Sequence, residues 1–292
     1  MLIFNHMSYI SLFDPWQSPV CTCPPKYSLN PYTGCGHGCL YCYASSFIKD
    51  FYSPRPKKDF LKKVKKELLK LPPGSLISLS NSSDPYQPLE KTYKLTRSFL
   101  KLILGLPLNL LIITKSNLIL RDLDLLKKLK VAVAITFTTK DYQKKLEPWA
   151  PPFEERLLAL KTLYKAGIPT IARIDPIIPG INEDESLELL TEVLPFVKHV
   201  VTSTYKAKPQ SFNRLTKAFP EQARRLKTLY VKLGEKKKGG VYLPEELRRG
   251  LIKRLYQKVK EINEVSFATC REGLPEFELN ERCDGSFLIK GG

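Results

Sequence analysis

Three thiols within eight residues, Cys35-Gly-His-Gly-Cys39-Leu-Tyr-Cys42, are the part of this sequence best suited to chemistry. The C-x3-C-x2-C spacing sits on a stretch too short to bury a core of its own. Gly34, Gly36 and Gly38 surround the thiols, so the backbone can take positive φ and coil tightly round a small object. Successive N–H groups in such a coil point inward and suit an anion, here the sulfides and thiolates of an iron–sulfur cluster. A [4Fe–4S] cube usually takes four cysteines. A loop offering three leaves one iron open to a chelating ligand, as a catalytic metal needs. The alternative is a zinc knuckle, but zinc wants four ligands, and His37 supplies the fourth only with strained local geometry.

Such a loop must be held by a scaffold, and the sequence describes one. Strands are expected at residues 27–29, 76–80, 110–114, 131–136, 171–175 and 200–203, the first delivering the thiol loop from its C-terminal end. Helices are expected between them, at 57–70, 90–104, 123–128, 153–166 and 184–194. In the first of these, Phe60, Leu61, Val64, Leu68 and Leu69 recur at near-helical spacing. Alternation of this kind indicates a parallel sheet with helical crossovers. Residues 1–26 read as an irregular lead-in broken by prolines. Residues 206–292 read as an extension: helices at 221–233 and 245–263 joined by a mobile Gly-Lys loop, then a short tail carrying Cys270 and Cys283.

A 292-residue chain with 43% hydrophobic content can bury a large core. No run of about 18 apolar residues suggests a membrane helix. No signal peptide is read, and seven cysteines then point to metal ligands in a reducing cytoplasm rather than a disulfide scaffold. The net charge of +18 is unevenly placed: residues 206–260 hold 17 Lys and Arg against four Glu, and residues 55–70 hold eight against two acids. Clustering of this kind favours a polyanionic partner, DNA or RNA. Its alternative is the lysine-rich solvated surface of a thermophile, which the sparse Gln and Met also suit. Arg224, Arg225, Arg248, Arg249, Lys253 and Arg254 are the phosphate candidates, because helices position them. The interleaved Tyr205, Phe212, Phe219, Tyr230, Tyr242 and Tyr256 suit stacking on bases or a core, with at least half expected in the core.

The thiol spacing, with Tyr43 after the third cysteine, resembles the radical S-adenosylmethionine (SAM) superfamily. Four further strand-end motifs resemble its spore photoproduct lyase-like branch, whose members are often described as DNA repair photolyase-like. They are Tyr32-Thr-Gly-Cys35 with Tyr43-Ala44, Asp84-Pro-Tyr-Gln-Pro88 with Glu90, Thr114-Lys115-Ser116 with Arg121-Asp122, and Pro179-Gly-Ile-Asn182. The resemblance covers about residues 26–205. It implies a partial (β/α)6 TIM-like barrel over residues 27–205, with the basic helical extension behind it. It also implies a [4Fe–4S] cluster on Cys35, Cys39 and Cys42 that takes one electron from an external reductant. In that superfamily the cluster's open iron chelates SAM, and reductive cleavage of SAM gives a 5′-deoxyadenosyl radical. Tyr43 matches the family's aromatic, Ser83 the serine that contacts SAM, and Lys115 the lysine that pairs with its carboxylate. Thr136 is a candidate for lining the cofactor with Thr138. Arg173 binds SAM or substrate, or salt-bridges an acid such as Asp175. Asp84 and Glu90 are turn and helix-start residues, or ligands for SAM's amino group. Spore photoproduct lyases carry a hydrogen-donating cysteine two residues before that serine; here the position is Asn81, whose amide cannot replace a thiol. Tyr86 or a cysteine from elsewhere is then the candidate donor.

Cys21, Cys23, Cys270 and Cys283 remain. Two soft pairs, one before the barrel and one at the far end of the chain, match an all-thiolate site for a second metal or cluster. They also fit two disulfides or unpaired buried thiols. The expected function is therefore radical SAM chemistry on a nucleic acid, for lesion repair or base modification. Its rivals are the same chemistry on a peptide, protein or metabolite, and a non-catalytic iron–sulfur or zinc nucleic-acid-binding protein.

Overall fold

The structure, a computed structural model, describes residues 8–14, 18–79, 81–262, 264–279 and 283–289. Among the described residues twelve strands occur: β1 (Ile10–Leu12), β2 (Tyr27–Leu29), β3 (Tyr32–Thr33), β4 (Arg55–Pro56), β5 (Leu76–Leu79), β6 (Asn109–Thr114), β7 (Val131–Phe137), β8 (Thr170–Ile177), β9 (His199–Thr204), β10 (Glu235–Lys237), β11 (Gly240–Tyr242) and β12 (Ser266–Thr269). The main sheet has the order β1-β2-β5-β6-β7-β8-β9-β12. From β2 onward every neighbour is parallel, and β1 is antiparallel to β2. Among the described residues no pairing joins β12 back to β2, so the barrel is partial, as the resemblance implied.

The six expected strands are all present. Two more strands of the main sheet were not foreseen. Strand β1 arises inside the lead-in, where Ile10 pairs with Leu29 and is fully buried. Strand β12 arises inside the tail and lengthens the parallel sheet to seven strands, Ser266 lying opposite His199. The sheet therefore runs beyond the 27–205 span on both sides.

Helices α1 (Phe60–Leu68), α2 (Glu90–Tyr93), α3 (Leu95–Leu102), α4 (Leu123–Leu126), α5 (Gln143–Leu146), α6 (Phe153–Lys165) and α7 (Ser186–Val193) lie between the strands. The expected 90–104 helix is two, because Lys94 takes φ +51 between α2 and α3. Beyond β9 come α8 (Pro209–Ala218), α9 (Pro220–Lys227), continued by a π turn over Thr228–Lys232, and α10 (Glu245–Lys260). The loop expected to be mobile is the β10–β11 hairpin, with Val241 bridged to Ala207.

The main core lies between sheet and helices, where Ile77, Leu110, Ile112, Val133, Ile135 and Ile174 meet Phe99, Phe153, Leu160, Leu189 and Ile252. The inner face is closed differently. Leu111, Ala132, Ala134, Ile171 and Val201 pack against Leu288 and Ile289, so the C-terminal tail plugs the barrel interior.

This packing corrects one nucleic-acid candidate. Arg248 shares a stripe of α10 with Ile252, Leu255 and Val259 and is fully buried. Its Nε donates to the Leu243 carbonyl at 2.9 Å, its guanidinium also donates to the Glu272 carbonyl, and it pairs with Glu235 at 3.1 Å. Arg248→Ala is therefore expected to cost about 2–3 kcal/mol in a denaturant melt, with no change in polyanion affinity. Arg249 is paired with Glu245 and Glu276. Arg224, Arg225, Lys253 and Arg254 are exposed. Of the six interleaved aromatics, Tyr205, Phe219, Tyr230 and Tyr242 are buried, as expected for the majority, while Phe212 and Tyr256 are half-buried.

Candidate active site

A small ribbon ties off the thiol loop at its base. β3 pairs with β4, and the Cys35 N–H donates to the Phe51 carbonyl at 2.9 Å. Gly34 has φ +76, and a Cβ there would stand 2.4 Å from the Phe51 oxygen, so no other residue fits. Gly38, at φ +73, faces the Trp149 ring with only 2.8 Å for a Cβ. Further along, the Cys42 N–H reaches the Cys39 carbonyl at 3.3 Å. The chain is thereby coiled so that the three thiols lie within electrostatic reach of one another. Cys35 and Cys39 are buried and Cys42 is half-buried. Burial pushes the Cys35 thiol up to about 12, so a metal that binds there must strip the proton. Three soft donors on one coil, two of them withdrawn from water, fit an iron–sulfur cluster.

The strand tips after β5 and β6 clamp this loop. The Ser83 hydroxyl donates to the Gly34 carbonyl at 2.6 Å, and Gln87 Nε2 donates to the same carbonyl at 3.0 Å and to Ser83 Oγ at 2.9 Å. Gln87 Oε1 accepts from the Gly36 N–H at 2.8 Å. Ser83, expected to contact SAM, thus spends its hydrogen bonds on the loop backbone. Asp84 is similarly committed. One oxygen accepts from the Tyr86 N–H and the Thr114 hydroxyl, at 2.8 and 2.7 Å. The other accepts from the Lys115 N–H at 2.8 Å and lies 3.2 Å from His37 Nε2. Burial alone would raise its pKa, but His37 and these donors hold it below the usual carboxylate value. Asp84 is therefore a staple between strand tips and thiol loop rather than a free ligand for SAM's amino group. Glu90, fully buried, accepts from Tyr32, Thr96, Arg97 and Arg121 and is likewise structural.

Lys115 projects from the end of β6 across the thiol loop. Its Nζ lies 5.6 Å from the Tyr41 ring centroid, 3.3 Å from Thr138 Oγ1 and 3.1 Å from Glu147 Oε1. Glu147, not anticipated from sequence, is completely buried and also bonded by Tyr41 and Arg156. Arg156 in turn holds the Thr136 and Pro151 carbonyls at 3.0 and 2.7 Å. Tyr41 stands between Cys39 and Cys42, so this network couples the loop to β6, β7 and α6.

Thr136 and Arg173 are register partners on β7 and β8 and share the inner face. Arg173 makes the acid pair that was one of its two readings, to Asp175 at 2.7 Å, and Ser203 Oγ donates to the other Asp175 oxygen at 2.5 Å. Asn182 pins the loop after β8 through the Thr138 carbonyl at 2.7 Å and the Ile178 N–H at 2.6 Å. Tyr43 donates its hydroxyl to the Asn81 carbonyl. The Asn81 amide is held by Ser28 Oγ at 2.8 Å and the Ser78 carbonyl at 3.0 Å. Tyr86 is not at the mouth: it is 1% exposed, within the core between sheet and helices, with Asp122 near its hydroxyl. It is discarded as a hydrogen donor.

Arg214 of α8 was also missed. It reaches the Leu40 carbonyl at 3.3 Å and Ser45, and stacks 5.1 Å from the Tyr52 ring centroid. With Cys35, Gly36, Gly38, Pro88 and Trp149 it lines a cavity of about 600 Å³ against the thiol loop. Little in the sequence marks Glu147 or Arg214, since their bonds to the thiol loop, at Tyr41 and Leu40, span 106 and 174 residues.

Solved structures share this fold. A spore photoproduct lyase mutant superposes with a TM-score of 0.69 at 16% identity, covering 91% of this chain and 80% of that one. Another, with bound AdoMet and dinucleoside spore photoproduct, gives 0.66 at 18% identity, covering 82% and 75%. At those identities the likeness is one of fold. In sequence, the uncharacterized protein MJ0683 of Methanocaldococcus jannaschii is 38% identical over 180 residues, 59% of this chain and 67% of that protein. The radical SAM Nalpha-GlyT isomerase of Pseudomonas phage M6 is 26% identical over 257 residues, 83% of this chain and 53% of that protein. Residues 29–193, more than half the chain and the span that contains the thiol loop and its clamps, match the family model of the Radical SAM superfamily, to which this chain belongs.

Proposed function

We propose that this radical SAM enzyme acts on a nucleic acid, with Cys35, Cys39 and Cys42 as the ligands of its [4Fe–4S] cluster. Bound together, the cluster and SAM supply a one-electron cleavage that gives the 5′-deoxyadenosyl radical. The chain's own residues set the stage for it. The Lys115 ammonium beside the thiol loop offers a compact cation for the SAM carboxylate, in exchange for Glu147. The paired Arg173 and Asp175 present a fixed donor and acceptor on the inner face. Tyr43 braces the Asn81 backbone across the mouth.

One observation carries the substrate class. Arg225 of α9 and Arg254 of α10 line a single cleft with Glu246 of α10 and with Pro179, Glu183 and Asp184 of the loop that leaves the mouth after β8, and Arg225 pairs with Glu183 at 2.9 Å. Exposed Arg224 and Lys253 lie on the same two helices. A nucleic-acid strand whose phosphates take Arg225 from Glu183 and meet these other cations would be led to the barrel mouth, where a base must be unstacked or single-stranded to enter. The likeness to spore photoproduct lyases agrees with this reading.

The test is 5′-deoxyadenosine formation by anaerobically reconstituted, reduced protein with DNA, RNA or neither. About tenfold stimulation by one nucleic acid is expected, falling with salt. Replacing Arg224, Arg225, Lys253 and Arg254 together should reduce the salt slope of binding by about three to four. Stimulation by a peptide or metabolite instead, with indifference to polyanions, would move the substrate class.

A further inference from the structure

The four cysteines outside the thiol loop come from opposite ends of the chain and of the sheet. Cys21 and Cys23 precede β2, near one edge; Cys270 follows β12, the other edge, and Cys283 lies in the tail beyond it. These edges do not pair, yet their thiols meet. Cys23 Sγ and Cys283 Sγ are 3.5 Å apart across 260 residues, and Cys21 lies beside Cys23. Cys270 is within electrostatic reach of Cys21 and Cys283.

The surroundings are built for this meeting. Lys26 and Asp284, both at least 95% buried, pair at 2.5 Å beside the thiols, and Lys26 also donates to Cys23. Arg173 lies beside Cys270. His199 bonds the Cys283 carbonyl at 3.0 Å, anchoring the tail to β9. Donors aimed at sulfur are the outer partners that thiolate sites use.

We propose that Cys21, Cys23, Cys270 and Cys283 hold one tetrahedral zinc ion that fastens the two edges of the open barrel together. Distance decides the ligand. Four sulfurs at about 2.3 Å from zinc stand about 3.8 Å from each other, close to the observed contact. Thiolates on separate irons of a cubane stand much further apart, and a disulfide needs about 2.05 Å. Among the described residues no three such side chains are already gathered round a point for a metal ion, so the ion draws in thiols that are now in contact or in reach.

The experiment is metal analysis of the full chain, produced with zinc chloride in the medium and purified without oxygen. About one zinc per chain is expected beside the cluster iron, with four sulfurs near 2.3 Å in zinc-edge X-ray absorption. C35A/C39A/C42A should lose the iron and keep the zinc, whereas C21S/C23S should lose the zinc and keep the iron. Should C21S/C23S fail to fold, release of zinc from the intact protein by a mercurial thiol reagent, with a fall in Tm, gives the same answer. Iron retained in the C35A/C39A/C42A protein at this second site, a Cys23–Cys283 disulfide, or free thiols without zinc would each overturn the proposal. None of these outcomes depends on the substrate of the enzyme.

Discussion

Glu147→Gln is expected to lower stability by about 3–5 kcal/mol, read from the midpoint of a denaturant melt. The carboxylate is fully buried and faces two cations: Arg156, itself 1% exposed, and Lys115. Removing the charge strands the Arg156 guanidinium in the interior with two carbonyls as its only described partners. Tyr41 also loses its strongest acceptor, and Tyr41 lies between two of the three thiols. Iron content should therefore fall along with stability. Replacing both charges, Glu147→Leu with Arg156→Met, should recover much of the stability but not the iron, because Tyr41, between two of the thiols, stays unanchored.

The same group sets an acid limit. Burial would raise the Glu147 pKa, but Arg156, Lys115 and the Tyr41 hydroxyl hold it well below the usual carboxylate range. A depressed folded pKa means that the unfolded chain binds the proton first. The stability it contributes is complete above the ordinary glutamate pKa of about 4.3 and fades only as pH falls below that. Wild type should consequently lose stability on acidification more steeply than Glu147→Gln, which carries no proton to take up.

The thiol loop and six strands were legible because their signals are local: spacing, glycines and apolar runs bounded by turns. Strands β1 and β12 were not, since they lie in segments outside the strand–helix alternation and pair with edges built elsewhere in the chain. The break at Lys94 lacks the usual glycine or proline. Arg248 was readable and misread: positions 248, 252, 255 and 259 form one helical stripe, and the three apolar members fix the direction in which the arginine points. Charge counts place basic residues on helices without saying which face they occupy. At the site, sequence singled out Ser83, Asp84, Lys115 and Arg173. It did not reveal that Ser83 and Asp84 clamp the loop, because the partners that do so, the Gly34 carbonyl, His37 and the tip of β6, lie some 30 to 50 residues away.

Cys39→Ala should abolish 5′-deoxyadenosine formation, by at least about a thousandfold, equivalent to about 4 kcal/mol of lost transition-state stabilisation. The contrast with Lys115→Ala separates the two halves of the site. Cys39 is a buried thiol on the coil, next to Lys115 and Glu147, and no neighbouring side chain can take its place as a soft donor. Its loss should appear first as missing iron and missing visible absorption, before any kinetic assay. Lys115 stands over Tyr41 and contributes charge rather than a metal bond. Lys115→Ala should keep near-normal iron and instead raise the KM for SAM by about tenfold or more, since a carboxylate partner is removed. Its removal also frees Glu147 from one cation, leaving Arg156 to neutralise it. If Lys115→Ala lost iron as completely as Cys39→Ala, the lysine would be holding the loop together, and the cation for the SAM carboxylate would have to be sought at Arg173, on the inner face.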